Sequence, residues 1–200
     1  MSKLILVLGG IRSGKSQFAC RLADQLSREV AVIVTCIPQD EEMQARIAEH
    51  RLKRPKHWQT IEAPKEIIPH LQESKLSFHI HSGLLLENNK LSTGSNLGFS
   101  IQQKSEVILI DCLNMFISNL LLDELTPETI LEKVSSLAEG ISKKKDGWVI
   151  IVSNEVGSCL VPTNKLARVF TDLLGKANQI MADCANEVYL LVAGIPVKIK

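Results

Sequence analysis

Short, uninterrupted hydrophobic runs alternate along this chain with longer segments that are hydrophobic on one side only. Such runs are typical of strands buried on both faces of a parallel sheet, and we predict them at residues 3–8, 30–34, 107–111, 148–152 and 188–193. The longer segments carry apolar residues at helical spacing and predict helices over 15–28, 40–51, 64–75, 112–123, 127–142 and 163–185. In the helix over 112–123, this spacing leaves Asn114 and Asn119 on the polar side. Strands that alternate with helices indicate an α/β fold with a mostly parallel central sheet flanked by helices.

The composition fits a soluble protein and argues against several classes of partner. Of the 200 residues, 45% are hydrophobic and 22% charged, and the formal net charge is +1. A nucleic-acid-binding protein is usually strongly basic, so we expect no nucleic-acid partner. No apolar run approaches the length of a membrane span, and the N-terminus shows no signal-peptide pattern. Five cysteines without paired spacing are typical of reduced thiols, and we therefore expect a cytoplasmic protein.

We interpret residues 1–200 as a single domain with one irregular segment. Residues 88–100 are rich in Asn, Ser, Gly and Thr and follow neither the helical nor the strand period. Such a composition favours a loop, so we predict a flexible insertion around residues 76–105. No regular element is assigned to residues 194–200.

The first predicted strand leads directly into a segment with the spacing G-x-x-x-x-G-K-S. It comprises Gly9, Gly10, Ile11, Arg12, Ser13, Gly14, Lys15 and Ser16. In a phosphate-binding P-loop, glycines let main-chain N–H groups converge on one anion, and the following helix presents its positive end. Lys15 would then reach the β- and γ-phosphates, and Ser16 would coordinate Mg²⁺. The alternative is an ordinary glycine turn between a strand and a helix.

Residues at the ends of three other strands are further candidates, because ligands of open α/β sheets bind beyond the carboxyl ends of the strands. Asp111 ends a buried run, which is typical of the Walker B carboxylate that holds Mg²⁺; the alternative is an aspartate that caps the next helix. Thr35, Cys36 and Ile37 follow another run and are predicted to line a nucleotide site. Glu62 follows a short strand-like stretch, and either it accepts hydrogen bonds from a base or ribose or it is a surface carboxylate.

The predicted helix over 40–51 carries a candidate nucleophile. Arg46, His50 and Lys53 fall on one narrow stripe at helical spacing. A neutral imidazole is a nucleophile, and the cations beside it would attract a polyphosphate. The same spacing fits a solvated basic face with an incidental histidine, and spacing alone favours this second interpretation.

Several longer segments together resemble one enzyme family. They are GGIRSGKS at 9–16, DEEMQARIAEHRLKRPKHW at 40–58, DCLNMFISNLL at 111–121, SNEVGSCLVPTNKLARVF at 153–170 and VAGIPVKIK at 192–200. The chain resembles the bifunctional adenosylcobinamide kinase/adenosylcobinamide-phosphate guanylyltransferases of cobalamin biosynthesis, apart from about residues 70–105. The segment N-E-V-G…V-P-x-N-x-L-A-R is more specific to that family than the P-loop.

The resemblance implies a P-loop, RecA-like subunit that assembles as a homotrimer and uses Mg²⁺ with ATP or GTP. Its first reaction would phosphorylate the aminopropanol hydroxyl of adenosylcobinamide, and its second would transfer GMP from GTP to that phosphate, releasing pyrophosphate. The family's guanylylated histidine corresponds to His50 within the pattern R-I-x-x-H-R. By position, the family's nucleotide contacts correspond to Gly9–Ser16, Thr35–Ile37, Arg51, Leu52, Lys53, Arg54, Glu62 and Asp111.

The sequence departs from the family pattern at three places. Asn114 stands where the family commonly has Thr, Cys36 where Ser is frequent, and the segment between Glu62 and Asp111 is longer than usual. None of these changes removes a proposed catalytic group. Two other functions stay open: a P-loop small-molecule kinase without a nucleotidyl-transfer step, and a non-catalytic nucleotide-binding module.

Overall fold

The computed structural model describes residues 2–38, 40–52, 54–72, 106–158 and 160–200. The strands are β1 (Lys3–Gly9), β2 (Val30–Val34), β3 (Gln59–Glu62), β4 (Val107–Asp111), β5 (Trp148–Asn154), β6 (Glu187–Val192) and β7 (Ile195–Lys198). The helices are α1 (Lys15–Leu26), α2 (Glu41–Leu52), α3 (Ile68–Gln72), α4 (Leu113–Leu122), α5 (Pro127–Lys143) and α6 (Lys165–Cys184). The insertion predicted around residues 76–105 and the candidate Lys53 lie outside the described residues.

All seven strands form one sheet in the order β3-β2-β4-β5-β1-β6-β7. Six of them run parallel, and β7 alone pairs antiparallel with its neighbour β6. The predicted α/β class, a mostly parallel sheet flanked by helices, is confirmed. Since β1, β4 and β5 are parallel, the glycine-rich segment and Asp111 both lie at the carboxyl ends of the strands, which form one edge of the sheet. They are one strand apart, because β5 lies between β1 and β4.

Hydrophobic side chains cover both faces of the sheet, which explains why its strands are apolar without alternation. On β1, Leu4, Leu6 and Leu8 belong to the larger core, with residues of α3 to α6. Ile5 and Val7 point the other way, into the core beneath α1. Full burial of each such side chain contributes about 1.5–3 kcal/mol relative to exposure, so both faces hold β1 in its central position.

The prediction that Asn114 and Asn119 lie on a polar side of α4 is wrong. Their relative exposures are 7% and 3%, because α4 packs against β5, α5 and α6 rather than lying on the surface with one side free. The Asn119 Nδ2 donates hydrogen bonds to the main-chain oxygens of Thr35 at 2.7 Å and Pro64 at 2.9 Å. Asn119 therefore ties α4 to the segments that follow β2 and β3.

The last strand, β7, is not predicted from the sequence. Val192 pairs with Ile195, so Ala193 and Gly194 alone form the turn, with φ of +50° and +83°. Positive φ at both central residues is the requirement of the tight hairpin turn that fits twisted strands. The Gly194 N–H donates to the Ser13 oxygen at 2.9 Å, so this hairpin supports the glycine-rich segment.

Candidate functional site

The glycine-rich segment curls tightly between β1 and α1. A Cβ on Gly9 would lie 3.0 Å from the Leu191 oxygen, and one on Gly14 would lie 3.2 Å from the Gly194 Cα. Gly14 also has φ of +89°, a conformation that favours glycine. Both glycines are therefore required by the close approach of the β6–β7 hairpin, and Gly14 by its backbone angle as well.

Helix α1 begins at Lys15 with its positive end directed at the loop. Among the described residues, no side chain caps this end and no acidic residue occupies its first turn. Uncapped N–H groups at a helix N-terminus are suited to bind a phosphate. The Lys15 Nζ donates to the Gly10 oxygen at 3.0 Å, so the ammonium group lies across the same loop.

Asp111, at the end of β4, is held by an arginine. The Arg54 Nη2 lies 2.8 Å from the Asp111 Oδ2, and the two side chains are 8% and 12% exposed. A charged pair this far from water is strongly destabilised when either partner is removed. The carboxylate thus keeps a fixed position at the edge of the sheet where the glycine-rich segment lies.

Thr35 holds the main chain beside Asp111 through its hydroxyl group. The Thr35 Oγ1 donates to the Cys112 oxygen at 2.7 Å and accepts from the Cys112 N–H at 2.9 Å. The Thr35 N–H donates to the Asp111 oxygen at 3.2 Å. Since Thr35 is 0% exposed, its hydroxyl group supports the neighbouring strand end.

We expect Thr35→Val, which keeps the shape and removes the hydroxyl, to lower the free energy of unfolding by about 2–3 kcal/mol, because two buried main-chain groups lose their partner. Urea denaturation measures the change. The control is Thr171→Val, since the Thr171 hydroxyl only donates to the Ala167 oxygen within α6; a change below about 0.5 kcal/mol is expected there. Equal losses in the two variants would contradict the role given to Thr35.

Two cavities open beside the glycine-rich segment and share one wall. The larger has a volume of about 870 Å³ and the smaller about 230 Å³. Five residues line both of them: Lys15, Ser16, His50, Arg54 and Asp111. These residues come from α1, α2, the loop after α2 and the end of β4, and all five are candidates predicted from the sequence. The fold thus brings the half-buried His50 to the same cavities as the glycine-rich segment.

The other candidates divide between the cavities and the surrounding structure. Arg12, Ser13 and Gly14 line the larger cavity, and Ile11 and Cys36 line the smaller. Of the described candidates, Gly9, Gly10, Thr35, Ile37, Arg51, Leu52 and Glu62 line neither. Leu52 is 86% exposed and Glu62 is also exposed.

Several residues that line the cavities carry no prediction from the sequence. Asn154 ends β5 at the same edge as Asp111 and lines the smaller cavity, and the rule that ligands bind at strand ends would have found it. Met43 and Ile47 lie on α2 beside His50 and line the smaller cavity as well. Asn114 joins them there, although its spacing on α4 indicated a solvent-facing position.

Two of the thiols near Asp111, those of Cys20 and Cys112, are poor nucleophiles. Burial, followed by the Asp111 charge, raises the pKa of the Cys112 thiol to about 12. Burial also raises the pKa of the Cys20 thiol. Because the thiolate is the reactive form, both groups stay protonated and unreactive near neutral pH.

Ser16 and Asp111 offer a hydroxyl and a carboxylate oxygen to one cavity wall. Oxygen donors of this kind suit Mg²⁺, which keeps several waters and takes further ligands from substrate phosphates. Among the described residues there is no cluster of three or more His, Cys, Asp or Glu side chains that could hold a metal alone. The residues present therefore fit a magnesium ion that arrives with a nucleotide.

No helix within the described part of the chain is long and apolar enough to cross a membrane.

The fold resembles that of P-loop ATPases. A solved structure of a prototypical ATPase from the type III secretion system of pathogenic bacteria matches with a TM-score of 0.51 and 8% identity, covering 98% of this chain and 56% of that one. At this identity the likeness concerns the fold alone.

Comparison with known sequences gives the family. The model of a family described as cobinamide kinase / cobinamide phosphate guanyltransferase matches residues 5–88 and 85–199. The chain is 36% identical over 209 residues to the bifunctional adenosylcobalamin biosynthesis protein CobU of Escherichia coli strain K12, covering 98% of this chain and 99% of that protein. It is 34% identical over 195 residues to the corresponding protein CobP of Pseudomonas aeruginosa, covering 98% and 96%. The chain therefore belongs to the cobinamide kinase / cobinamide phosphate guanyltransferase family.

Proposed function

We propose that this protein phosphorylates adenosylcobinamide with ATP or GTP and then transfers GMP from GTP to adenosylcobinamide phosphate. One observation carries the proposal: His50 lines the same two cavities as Lys15, Ser16 and Asp111. A kinase needs the phosphate loop and the carboxylate, but it has no need of an imidazole beside them. A transferase that forms a covalent nucleotide intermediate needs all of them together.

The guanylyl transfer divides into two displacements at the α-phosphorus. In the first, a His50 ring nitrogen forms a P–N bond while the bond from the α-phosphorus to the bridging oxygen breaks, and pyrophosphate leaves. In the second, a phosphate oxygen of adenosylcobinamide phosphate attacks the same phosphorus, and the P–N bond breaks to give adenosyl-GDP-cobinamide. The high transfer potential of the P–N bond makes both steps accessible. The protonated Cys20 and Cys112 thiols do not compete with the imidazole.

The phosphate groups are held by the glycine-rich segment, the N-terminus of α1 and Lys15. Positive groups fixed around the triphosphate stabilise the charge that develops on the leaving group. Ser16 and Asp111 would hold Mg²⁺, which would supply Lewis-acid stabilisation of that charge when bound. By resemblance, the nucleotide contacts also include Thr35–Ile37, Arg51–Arg54 and Glu62; of these, Cys36 and Arg54 line a cavity.

The proposal includes a homotrimer and a cytoplasmic location. Val192, Ile195, Val197 and Ile199 are 47–66% exposed along the β6–β7 hairpin and the chain after it, and this apolar edge offers a surface for assembly. No disulfide links the described cysteines, which agrees with a reducing compartment.

Product analysis tests the proposed function. The protein is incubated with adenosylcobinamide, GTP and Mg²⁺, and we expect adenosylcobinamide phosphate to appear first, followed by adenosyl-GDP-cobinamide and pyrophosphate. Accumulation of adenosylcobinamide phosphate alone would reduce the protein to a small-molecule kinase. Binding of GTP without any corrinoid product would reduce it to a nucleotide-binding module.

A further inference from the structure

Asn114 presents a buried hydrogen-bond acceptor that lacks a donor. The residue is 7% exposed and lines the smaller cavity, and its Oδ1 has no hydrogen-bond partner within the described part of the protein. Asn119, on the same helix, has two main-chain partners for its amide nitrogen. A buried polar atom without a partner is costly and rare in native proteins, so a ligand that donates a hydrogen bond to Asn114 is the natural explanation.

The walls of the smaller cavity indicate what such a ligand contains. The lining includes the apolar side chains of Met43, Ile47 and Val152, and beside them the polar side chains of His50, Arg54, Asp111 and Asn154. Lys15 and Ser16 line the cavity as well, and the P-loop geometry directs the terminal phosphates to these two residues. A ligand that fits this cavity carries a short hydrocarbon segment and one hydrogen-bond donor close to the phosphates.

A purine base does not meet these requirements. In a nucleoside triphosphate the base is separated from the γ-phosphate by the ribose and two other phosphates. Asn114 lines the same small cavity as Lys15 and Ser16, so a base at Asn114 would have to lie directly beside the terminal phosphates of its own nucleotide, from which the ribose and two phosphates separate it. The larger cavity of about 870 Å³ has room for the nucleoside.

We propose that the smaller cavity binds the hydroxyl-bearing arm of the acceptor and that the Asn114 Oδ1 accepts a hydrogen bond from this hydroxyl group. The inference rests on the proposed function, which supplies a short alkyl chain with a secondary hydroxyl. The amide oxygen is not a base: as the hydroxyl oxygen bonds to the γ-phosphorus, the bond to the β–γ bridging oxygen breaks, the nucleoside diphosphate leaves, and the hydroxyl proton passes to a phosphate oxygen. The amide oxygen orients the hydroxyl so that an oxygen lone pair faces the γ-phosphorus. Asn114 is thus a substrate-binding residue that positions the hydroxyl group to be phosphorylated.

Two variants of the same shape test the role of the acceptor atom. Asn114→Thr retains a side-chain oxygen that accepts hydrogen bonds, whereas Asn114→Val replaces that oxygen by a methyl group. We expect Asn114→Val to lower kcat/KM for adenosylcobinamide phosphorylation about 10- to 100-fold relative to Asn114→Thr. We also expect equilibrium dialysis to show the same loss in adenosylcobinamide affinity. The Kd for GTP should stay within about threefold in both variants, because the phosphate loop is untouched.

Each result decides the matter. Equal kinetics and equal adenosylcobinamide affinity in the two variants would overturn the inference, and so would a loss confined to GTP affinity. Thermal melting of both variants detects a difference in folding. If only Asn114→Val melts early, equilibrium dialysis of this variant is repeated well below its melting temperature. An adenosylcobinamide affinity equal to that of Asn114→Thr at this temperature overturns the inference. If the wild-type protein produces no adenosylcobinamide phosphate, the proposed function fails first and the inference fails with it.

Discussion

Replacing His50 with alanine is expected to abolish covalent labelling of the protein by GTP that carries its label on the α-phosphate. The wild-type protein should retain the label through denaturation and release it in acid but not in alkali, which is the behaviour of a phosphoramidate. The physical reason is the position of His50, which lines both cavities with the phosphate loop, while the Cys20 and Cys112 thiols nearby have a raised pKa. We expect labelling of His50→Ala to fall at least about 10³-fold, because the variant lacks the ring nitrogen that forms the P–N bond.

The kinase step provides an internal control in the same variant. His50→Ala should still phosphorylate adenosylcobinamide at a rate within about threefold of the wild type, because that transfer needs no covalent intermediate. His57→Ala is the matched control, since His57 is exposed and lines neither cavity, and it should label fully. Label that survives in His50→Ala, or that disappears in His57→Ala, would contradict the assignment of the nucleophile.

The parts of the structure that follow local rules are those that the sequence predicts. Strands β1, β2, β4 and β5 are continuous apolar runs, because the sheet has a hydrophobic core on each face. Gly14, Lys15 and Ser16 follow from spacing alone, since their geometry depends on the strand and helix beside them in the chain. Asp111 is predictable for a similar reason: a buried strand that ends in a carboxylate exposes it at the edge where ligands bind.

The parts that depend on distant contacts escape prediction. Asn114 and Asn119 have the spacing of a polar helix side, but α4 packs against β5, α5 and α6. The Asn119 amide donates to two main-chain oxygens, and Asn114 lines the smaller cavity. The position of Thr35 after a strand predicts that it lines the nucleotide site. In the structure its hydroxyl group instead forms hydrogen bonds with the main-chain oxygen and N–H of Cys112. Cys112 follows the neighbouring strand and is distant in sequence, so no local pattern predicts this contact.

His50 lies between these two cases. Helical spacing predicts the stripe that it shares with neighbouring cations, yet spacing cannot say which edge of the sheet the stripe faces. The structure answers this for His50, which lines both cavities. The turn at Ala193 and Gly194 is harder still, because alanine rarely adopts the positive φ found there, and Pro196 argues against a strand except at a sheet edge.

Replacing Lys15 with alanine should lower the rates of both reactions, whereas replacing His50 should stop only one. We expect kcat/KM for phosphorylation to fall about 10²- to 10³-fold, because one fixed positive group is lost from the developing charge. Labelling of His50 should fall with it, since both reactions use the same bound triphosphate. GTP affinity should fall less, because main-chain N–H groups and the end of α1 still bind the phosphates.

The control for this prediction is the same substitution at a lysine that lines neither cavity. Lys65 pairs with Asp123 on the surface, where both side chains are 41% exposed, and such a pair contributes little to stability. Lys65→Ala should therefore retain wild-type rates, and steady-state assays with thermal melting compare the two variants directly. If Lys15→Ala kept kinase turnover within about tenfold of the wild type while remaining folded, the ammonium group could not be a major source of transition-state stabilisation. Phosphate binding by the glycine-rich segment would then depend on its main-chain N–H groups alone. The expected result, a loss of both activities together, would show that Lys15 acts on the triphosphate that the two reactions share.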